Sequence, residues 1–256
     1  MKIVRTTRKI ATDFYSKYEH LGNVGQGVWH YAIVNNCDEV LGVESFGHLG
    51  FRPSQSENFR DLMQRFPTLG FYQLCRGACA PGMRHCFSSY TLARSIRQFR
   101  KDIGPCVIVA YADENFCEIG TIYQACNALY LGLTNPKGQS NYSIRGTVYS
   151  AWSVRRRYGT REMERLRKIE STVRKIPLQP KHRYVILATP RGVKRRLSRE
   201  LAPYCLPYPK RENRRVPHMK IDELIRERAP TTESSRLVSL AAYSKRSPKQ
   251  TDPTNS

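Results

Sequence analysis

The sequence has no apolar run approaching the roughly 18 residues that a membrane-spanning helix requires. Its basic N-terminal stretch, Met1 to Ile10, also lacks the apolar segment of a secretory signal peptide. We therefore expect a cytoplasmic protein with no membrane partner. Hydrophobic residues make up 40% of the 256 residues, which is enough to build a core.

Metal-ligand patterns are scarce as well. We expect the eight cysteines to be reduced thiols, because no secretory signal directs the chain to an oxidising compartment. Cys75, Cys79 and Cys86, with His85 beside the last, form the only cluster of ligand residue types. The second closely spaced cysteine pair of a closed zinc site is missing. We predict buried thiols here and assign no residue to a metal.

Acidic residues are few relative to basic ones. The chain has 21 Asp and Glu against 43 Lys and Arg, and residues 145–215 hold 21 of the basic but only 5 of the acidic residues. Charge this concentrated favours a nucleic-acid partner, with a solvated basic face or an anionic-membrane contact as alternatives. The residues expected to bind nucleic acid form two basic runs: Arg155, Arg156, Arg157, Lys194, Arg195 and Arg196.

The most informative stretch lies near the middle of the chain. Val107 to Ala112 is apolar and rich in β-branched residues, which predicts a strand covered on both faces. Asp113 follows at once, then a predicted helix over residues 119–127 and a second strand over Leu129 to Leu133. An acid at the carboxyl end of a buried strand lies where α/β sheets place their ligand crevice. The alternative is that Asp113 caps the following helix.

The other predicted elements of the first half are a helix over residues 10–19, hairpin strands over 28–34 and 40–46, a helix over 56–66, a strand over 71–80 and a helix from Ser88 to about Lys101. Ser88 or Ser89 is the expected N-cap of the last helix. The strand–helix–strand segment 71–112 predicts a right-handed crossover. A mixed sheet covered by helices follows from this order.

The second half is more basic and more polar. We predict a strand within residues 143–153, an amphipathic helix over 160–175 and a strand over 182–187. Residues 1–213 are expected to form one domain with a nucleic-acid-binding face over about 145–213. Residues 214–256 are expected to be a basic, polar and largely disordered tail.

The segment from Ala110 to Thr134 resembles the Mom family of phage proteins that modify adenine in DNA. The matching residues are a strand ending in Asp113, a helix with Gly120, Ile122, Tyr123 and Ala125, then Asn127, and a strand ending near Gly132. Leu74-Cys75-Arg76, the segment His182 to Ile186, and Leu206 to Lys210 resemble further family segments. The resemblance implies a GNAT-like fold of the α/β (α+β) class. Such a fold has a mixed, mostly antiparallel sheet flanked by helices, here with a basic C-terminal extension.

The resemblance also implies an activity. The protein would be a transferase that adds a carbamoylmethyl group to N6 of adenine in double-stranded DNA, with the adenine flipped out of the duplex. The modification would protect phage DNA from host restriction, in the host cytoplasm, and no protein partner is implied. The first alternative is a GNAT-type N-acetyltransferase acting on a protein, a small amine or tRNA. The second is a non-catalytic, basic DNA-binding protein.

Three residues are catalytic candidates. Asp113 would act as base or orienting acid towards the adenine amine. Tyr123 would donate to the carbonyl of the group donor, although packing between helix and sheet is its alternative role. His20 matches the histidine of the family's early His-Tyr-Ser motif, in which Leu21 and Gly22 here replace the Tyr and Ser.

Three further residues are candidates for binding the group donor. Arg76 would bind a phosphate or carbonyl, with a surface ion pair as the alternative. Ser88 and Ser89 would help to hold an anionic donor at a helix N-terminus, with capping as the alternative. The donor would be acetyl-CoA or another acyl or aminoacyl compound. The usual GNAT donor-loop signature, Arg/Gln-x-x-Gly-x-Gly/Ala, is not intact, and Pro81 to Arg84 is the nearest stretch.

A metal is a separate hypothesis. His20 and Asp113 are ligand types that suit an iron-type metal. Two ligands do not make a site, however.

Overall fold

A computed structural model describes residues 1–19, 21–50, 57–113, 118–134 and 140–210. The strands are β1 (Lys2–Thr6), β2 (Trp29–Val34), β3 (Val40–His48), β4 (Gly70–Cys79), β5 (Cys106–Asp113), β6 (Leu129–Leu133), β7 (Ser140–Ile144), β8 (Thr147–Tyr149), β9 (Arg174–Pro177) and β10 (Lys181–Ala188). The helices are α1 (Arg8–Tyr18), α2 (Glu57–Arg65), α3 (Phe87–Ile103), α4 (Thr121–Ala125), α5 (Ala151–Tyr158), α6 (Met163–Ile169) and α7 (Arg191–Leu201).

Seven strands form the main sheet, in the order β1-β2-β3-β4-β5-β10-β6. Its strand pairs are antiparallel except β4 and β5, which are parallel and are joined through α3. The predicted mixed, mostly antiparallel sheet flanked by helices is therefore confirmed. The parallel pairing expected for segment 71–112 is confirmed with it. In the part of the chain that is described, no helix is both long and apolar enough to cross a membrane.

Side-chain alternation along β5 divides the core into two layers. Ala110 and Ala112 belong to the cluster with α3, whereas Val107 and Val109 pack with residues of α2 and α7. α1 packs on the same side of the sheet as α2 and α7, over the outer strands. We call these two sides the α3 face and the α1 face. β5 is covered on both, as its continuous apolar run predicts.

Residues 140–177 form a small unit of their own, which we call the insert. β8, β7 and β9 make a three-stranded sheet in that order, and α5 and α6 pack on it. The core of the insert holds Tyr142, Ile144, Val154, Leu166 and Val173. The insert connects β6 to β10 along the chain. These two strands nevertheless pair directly with each other in the main sheet.

The predictions for the second half are partly wrong. The helix expected over 160–175 ends at Ile169, and the chain continues as β9 paired with β7. The predicted apolar stripe fails at Ile169, which is 58% exposed, while Val173 packs in the insert's core from the position directly before β9. Residues 143–153 contain a tight hairpin and the start of α5 instead of one strand. β1 and α7 had no sequence prediction. The tail, residues 214–256, lies outside the described residues.

Candidate active site

The parallel strands β4 and β5 separate towards their carboxyl ends, where Asp113 lies. β4 pairs with β5 only over Gly70–Gln73 and Cys106–Val109. Beyond those residues, β4 pairs with β3 alone and β5 pairs with β10 alone. We call the opening between residues 74–79 and 110–113 the fork. It lies at the carboxyl ends of two parallel strands, where such sheets bind ligands.

A β-bulge at Cys75 helps to open the fork. The register of β3 with β4 passes from Ser45↔Arg76 to Phe46↔Leu74, which leaves Cys75 without a partner residue. A bulge of this kind bends its strand and increases the local twist. Gly47, which pairs with Gln73 next to the bulge, has no room for a side chain, since a Cβ there would lie 2.3 Å from the carbonyl oxygen of Gln26 and 2.9 Å from Cys75 Sγ.

Asp113 lies at the tip of the fork. Its Oδ2 is 2.8 Å from Nζ of Lys181, which pairs directly opposite it on β10, and the Asp113 side chain is 15% exposed. The helix-cap alternative is wrong, because α4 begins at Thr121 behind Gly120, which adopts a positive φ of 78°. The structure thus places Asp113 at the carboxyl end of β5, beside the fork, with an ammonium partner that the sequence did not identify.

Tyr123 reaches the fork from α4. Its hydroxyl donates to the carbonyl oxygen of Tyr111 at 3.3 Å, and its ring lies 5.3 Å from that of Tyr184. Burial raises the pKa of the phenol strongly, and the negative charges of Glu118 and Glu44 raise it further. The hydroxyl is therefore a neutral proton donor throughout the physiological range. Tyr123 thus packs its ring between α4 and the sheet, and its hydroxyl lies at the fork, where it could donate a hydrogen bond to a bound ligand.

Arg76 lies on the other side of the fork, on the α1 face. Its Nη1 donates to the carbonyl oxygen of Cys75 at 2.7 Å, and its Nε is 3.9 Å from Oε1 of Glu19. Among the residues that the structure describes, the buried Nε has no hydrogen-bond partner. The alternative of an ion pair is thus met by Glu19, although the distance between the charged groups is long. His20, which follows Glu19 in the chain, lies outside the described residues.

A buried hydrogen-bond chain contacts the backbone of Arg76, and sequence reasoning missed this chain. The hydroxyl of Tyr15 lies 2.9 Å from Ser45 Oγ and 3.2 Å from the carbonyl oxygen of Arg76. Ser45 Oγ is in turn 2.7 Å from Nδ1 of His30. Burial, with a smaller effect of Arg8, lowers the pKa of His30 to about 4, so the ring is neutral at physiological pH. The chain ties α1, β2, β3 and the bulged strand together.

Glu44 is a further residue that sequence reasoning missed. It lies on β3 directly opposite Gly77 and projects to the α3 face, as Phe46 does two residues later. The residue is only 5% exposed, and burial raises the pKa of its carboxyl well above the usual range. A charged residue inside the apolar hairpin strand Val40–His48 was the available signal.

The two serines expected to hold the donor lie in the first turn of α3. The helix begins at Phe87 behind Cys86, so the prediction that Ser88 or Ser89 is the N-cap is wrong. Ser89 instead donates its hydroxyl to the carbonyl oxygen of Cys86 at 2.9 Å, and Ser88 hydrogen-bonds Cys79 at the end of β4. Both lie where a helix presents backbone N–H groups to an anion.

The structure separates the two basic runs. The insert leaves and rejoins the main sheet at the Asp113 end, because Thr134 and Lys181 are hydrogen-bonded there. α7 instead starts after Ala188, which pairs with Cys106 at the opposite end. All six basic candidates are exposed: Arg155, Arg156 and Arg157 on α5, and Lys194, Arg195 and Arg196 on α7.

The α5 run carries aromatic neighbours. The guanidinium of Arg157 lies 5.6 Å from the ring centroid of Tyr149 and 5.7 Å from that of Tyr158. Tyr149, Ser153, Arg156 and Arg157 line an open depression of about 420 Å³. Arginine next to tyrosine rings is a combination that suits unstacked bases. In the α7 run, Arg196 lies over the ring of Phe66 at 5.1 Å.

The described residues do not fit the hypothesis of an iron-type metal. Within these ranges, no group of three or more His, Cys, Asp or Glu side chains is placed to hold a metal ion. Asp113 is engaged with Lys181, and His20 is not described. We therefore assign no step to a metal.

Comparison with known proteins links the whole described chain to one family. The sequence model of the Mom protein family matches residues 1–210, which include the fork, the insert and α7. No curated protein matches the chain. Among solved structures, a Bacillus subtilis acetyltransferase in complex with CoA has a TM-score of 0.37 and 11% identity, over 73% of this chain and 97% of that chain.

Proposed function

The chain belongs to the Mom protein family, and from that premise we propose that it is a DNA-modifying transferase that adds a carbamoylmethyl group to N6 of adenine. In a phage, this modification would protect DNA from host restriction nucleases. The observation that carries the proposal is the fork. It brings acidic, basic and phenolic side chains together at the carboxyl ends of the parallel strands, in a chain with a strongly basic insert beside it.

The chemistry requires two kinds of group. The exocyclic amine of adenine is a weak nucleophile, because its lone pair is conjugated with the ring, and it must lose a proton as the new bond forms. The donor carbonyl needs a hydrogen-bond donor that faces its oxygen. We assign the second role to Tyr123, whose phenol stays protonated. Asp113, held by Lys181, would orient the base at the fork.

The donor would enter from the α3 face. The first turn of α3, with Ser88 and Ser89, offers backbone N–H groups that suit a phosphate or another anion. Arg76 would bind a phosphate or carbonyl from the α1 face. A carbamoylmethyl group requires a donor that supplies two carbons and a nitrogen, as an aminoacyl ester of glycine does, with the methylene carbon ending on N6. Acetyl-CoA or another simple acyl thioester has no such nitrogen and would suit only an acyltransferase.

Double-stranded DNA is the proposed partner. The amine at N6 takes part in base pairing, so the adenine has to leave the duplex before it can react. The arginines of α5 and the tyrosines beside them would hold the phosphates and the displaced bases. The insert connects to the main sheet at the end where Asp113 lies, and this connection supports a DNA-binding role for its basic surface.

Co-expression with a plasmid tests the proposal. Plasmid from cells that express the chain should contain a heavier deoxyadenosine by nucleoside mass spectrometry, with fragmentation that locates the added mass on the base. Plasmid from cells that express the Asp113→Asn variant serves as the control. Unmodified deoxyadenosine in the presence of abundant, folded wild-type protein would contradict the proposal.

The parallel pair of strands also suits an N-acetyltransferase that acts on a protein, a small amine or tRNA. Turnover of acetyl-CoA by the purified protein in the absence of DNA would favour that second candidate. A non-catalytic DNA-binding protein would show neither modification nor turnover, and its DNA affinity would not change when Asp113 is replaced.

A further inference from the structure

Glu44 is the only acidic residue that is buried among those the structure describes. A buried carboxylate ordinarily has a cation or several hydrogen-bond donors near it, because removing its charge from water is costly. The other acids around the fork follow that rule. Asp113 has the ammonium of Lys181, and Glu19 accepts hydrogen bonds from the backbone N–H groups of Leu21 and Gly22 at 2.8 and 2.9 Å.

Glu44 has no such partner in the described part of the chain. The groups that interact with it electrostatically are Tyr15 from α1, Cys79 from β4, and Tyr123 and Cys126 from α4. All four are neutral at physiological pH, since burial raises the pKa of each. An unpaired buried acid of this kind is uncommon outside functional sites.

The residue opposite Glu44 leaves space for the carboxylate. That residue is Gly77, and a Cβ built there would lie 2.3 Å from Oε2 of Glu44. Any other residue at position 77 would displace the carboxylate. Because Gly77 and Arg76 are neighbours on one strand, the guanidinium projects to the opposite face and leaves Glu44 unneutralised.

We propose that Glu44, and not Asp113, accepts the proton of the attacking nitrogen; this inference rests on the proposed function. As the nitrogen forms its bond to the donor carbon, the donor's leaving group departs with the electrons of the broken bond. The nitrogen's proton passes to the Glu44 carboxylate and from there to the leaving group. Asp113 is the weaker acceptor, because the ammonium at 2.8 Å stabilises its ionised form.

The test compares Glu44→Gln with Asp113→Asn at several pH values. Purified protein, plasmid DNA and an undialysed extract of cells that lack the protein supply the reaction, and nucleoside mass spectrometry measures the rate. The wild-type rate should rise as pH increases above the ordinary carboxyl range, because a base of raised pKa becomes ionised there. Glu44→Gln should be slower by about 100-fold or more and should lose this rise, whereas Asp113→Asn should be slower but keep it.

The outcomes separate the two claims. If wild-type protein leaves the plasmid unmodified, the proposed function fails and the inference fails with it. If wild-type protein modifies DNA and Glu44→Gln does so at the same rate, only the inference fails. It also fails if Asp113→Asn, and not Glu44→Gln, abolishes the pH dependence.

A second variant changes no functional group. Gly77→Ala should displace the Glu44 carboxylate and slow modification by at least about tenfold, while circular dichroism shows an unchanged fold. Full activity of Gly77→Ala would overturn the inference.

Thermal unfolding checks the burial of Glu44 without any activity assay. The folded state favours the protonated acid, so its stabilising effect is complete below the unfolded pKa of 4.5 and is lost as pH rises towards the folded pKa. The midpoint temperature of Glu44→Gln should therefore rise relative to wild type as pH increases from 4.5 to 8. Parallel curves for the two proteins would show that Glu44 is not a buried, unpaired acid.

Discussion

The main sheet and the insert use ionisable residues in opposite ways. Residues 1–134 hold 14 Lys and Arg against 11 Asp and Glu, whereas residues 140–177 hold 10 against 3. In the main sheet, the four ionisable groups of the proposed site are buried or half-buried around the fork: Glu44, Arg76, Asp113 and Tyr123. In the insert, the arginines of α5 are exposed.

Under the proposed function, this difference assigns the chemistry and the DNA affinity to separate parts of the molecule. Electrostatic interactions between groups in the fork are stronger because the local dielectric constant is low. A single carboxylate there shifts the pKa of its neighbours. Exposed arginines act additively through the phosphates and depend on salt. Changes in the fork should therefore alter rate, and changes in the insert should alter affinity.

The largest effect is expected at the tip of the fork. Asp113→Asn removes the charge that pairs with Lys181 and orients the base, so it should reduce modification of a co-expressed plasmid by about 100-fold, with DNA affinity unchanged. Asp38→Asn is the matched control, because Asp38 also pairs with a lysine, Lys2, but far along the chain in the outer hairpin. Nucleoside mass spectrometry measures both. Retained activity in Asp113→Asn would remove this residue from the site.

The next effect belongs to the insert. Replacing Arg155, Arg156 and Arg157 together by Gln should weaken duplex binding about tenfold or more. It should also make the slope of log affinity against log salt shallower by about 2 to 3, as expected for three lost phosphate contacts. Fluorescence anisotropy with a labelled duplex measures both quantities. The matched control replaces Lys194, Arg195 and Arg196, which lie on α7 beyond the opposite end of the sheet. A larger effect from the α7 variant would reverse the assignment.

Stability should also differ between the two regions. Val109→Ala removes two methyl groups from a fully buried site of β5 and should lower the free energy of unfolding by about 1–3 kcal/mol. Val148→Ala in the insert, where the residue is 58% exposed, should change it by less than about 0.5 kcal/mol. Urea unfolding provides the comparison. Equal effects would mean that the cores are not organised as described.

The smallest effect concerns the hydrogen-bond chain under Arg76. The pKa of His30 falls from 6.5 to about 4 in the folded protein, so its neutral form stabilises the fold above pH 6.5 and this contribution is lost as pH falls towards 4. The loss amounts to at most about 1.4 kcal/mol per pH unit. His30→Asn should flatten the acid limb of the stability curve, and His48→Asn, an exposed site, should not.

The raised pKa of Glu44 makes its own contribution to stability change with pH in the opposite direction. The His30 comparison is therefore cleanest when it is made in the Glu44→Gln background. An unchanged acid limb in His30→Asn would show that this histidine is accessible to protons in the folded state.

Sequence reasoning named Asp113, Tyr123 and Arg76, which lie around the fork, but it missed Glu44 and the hydrogen-bond chain beside Arg76. The β-branched run before Asp113 predicts β5, because its length and composition are typical of a strand that is covered on both faces. The same run places Asp113 at the carboxyl end of that strand. The Cys75 bulge and the Glu44–Gly77 pairing depend on register between strands, which no local pattern encodes. The Tyr15–Ser45–His30 chain joins three elements that are distant in sequence.

In the insert, the sequence pattern predicts a longer helix than the structure contains. Apolar residues at helical spacing continue from Met163 to Val173, and the pattern alone predicts one helix. Pairing of β9 with β7 overrides it after Ile169, because Val173 then reaches the insert's core. Tertiary burial outweighs a modest helical preference over so short a segment.

The central claim is that an extruded adenine enters the fork, and photo-crosslinking tests it most directly. A duplex that carries 8-azidoadenine would be irradiated with the purified protein, and the attached peptide would be identified by mass spectrometry. We expect attachment to residues of the fork or α4, in peptides that contain residues 74–79 or 118–125. Attachment confined to α7 or to the outer hairpin would contradict the account.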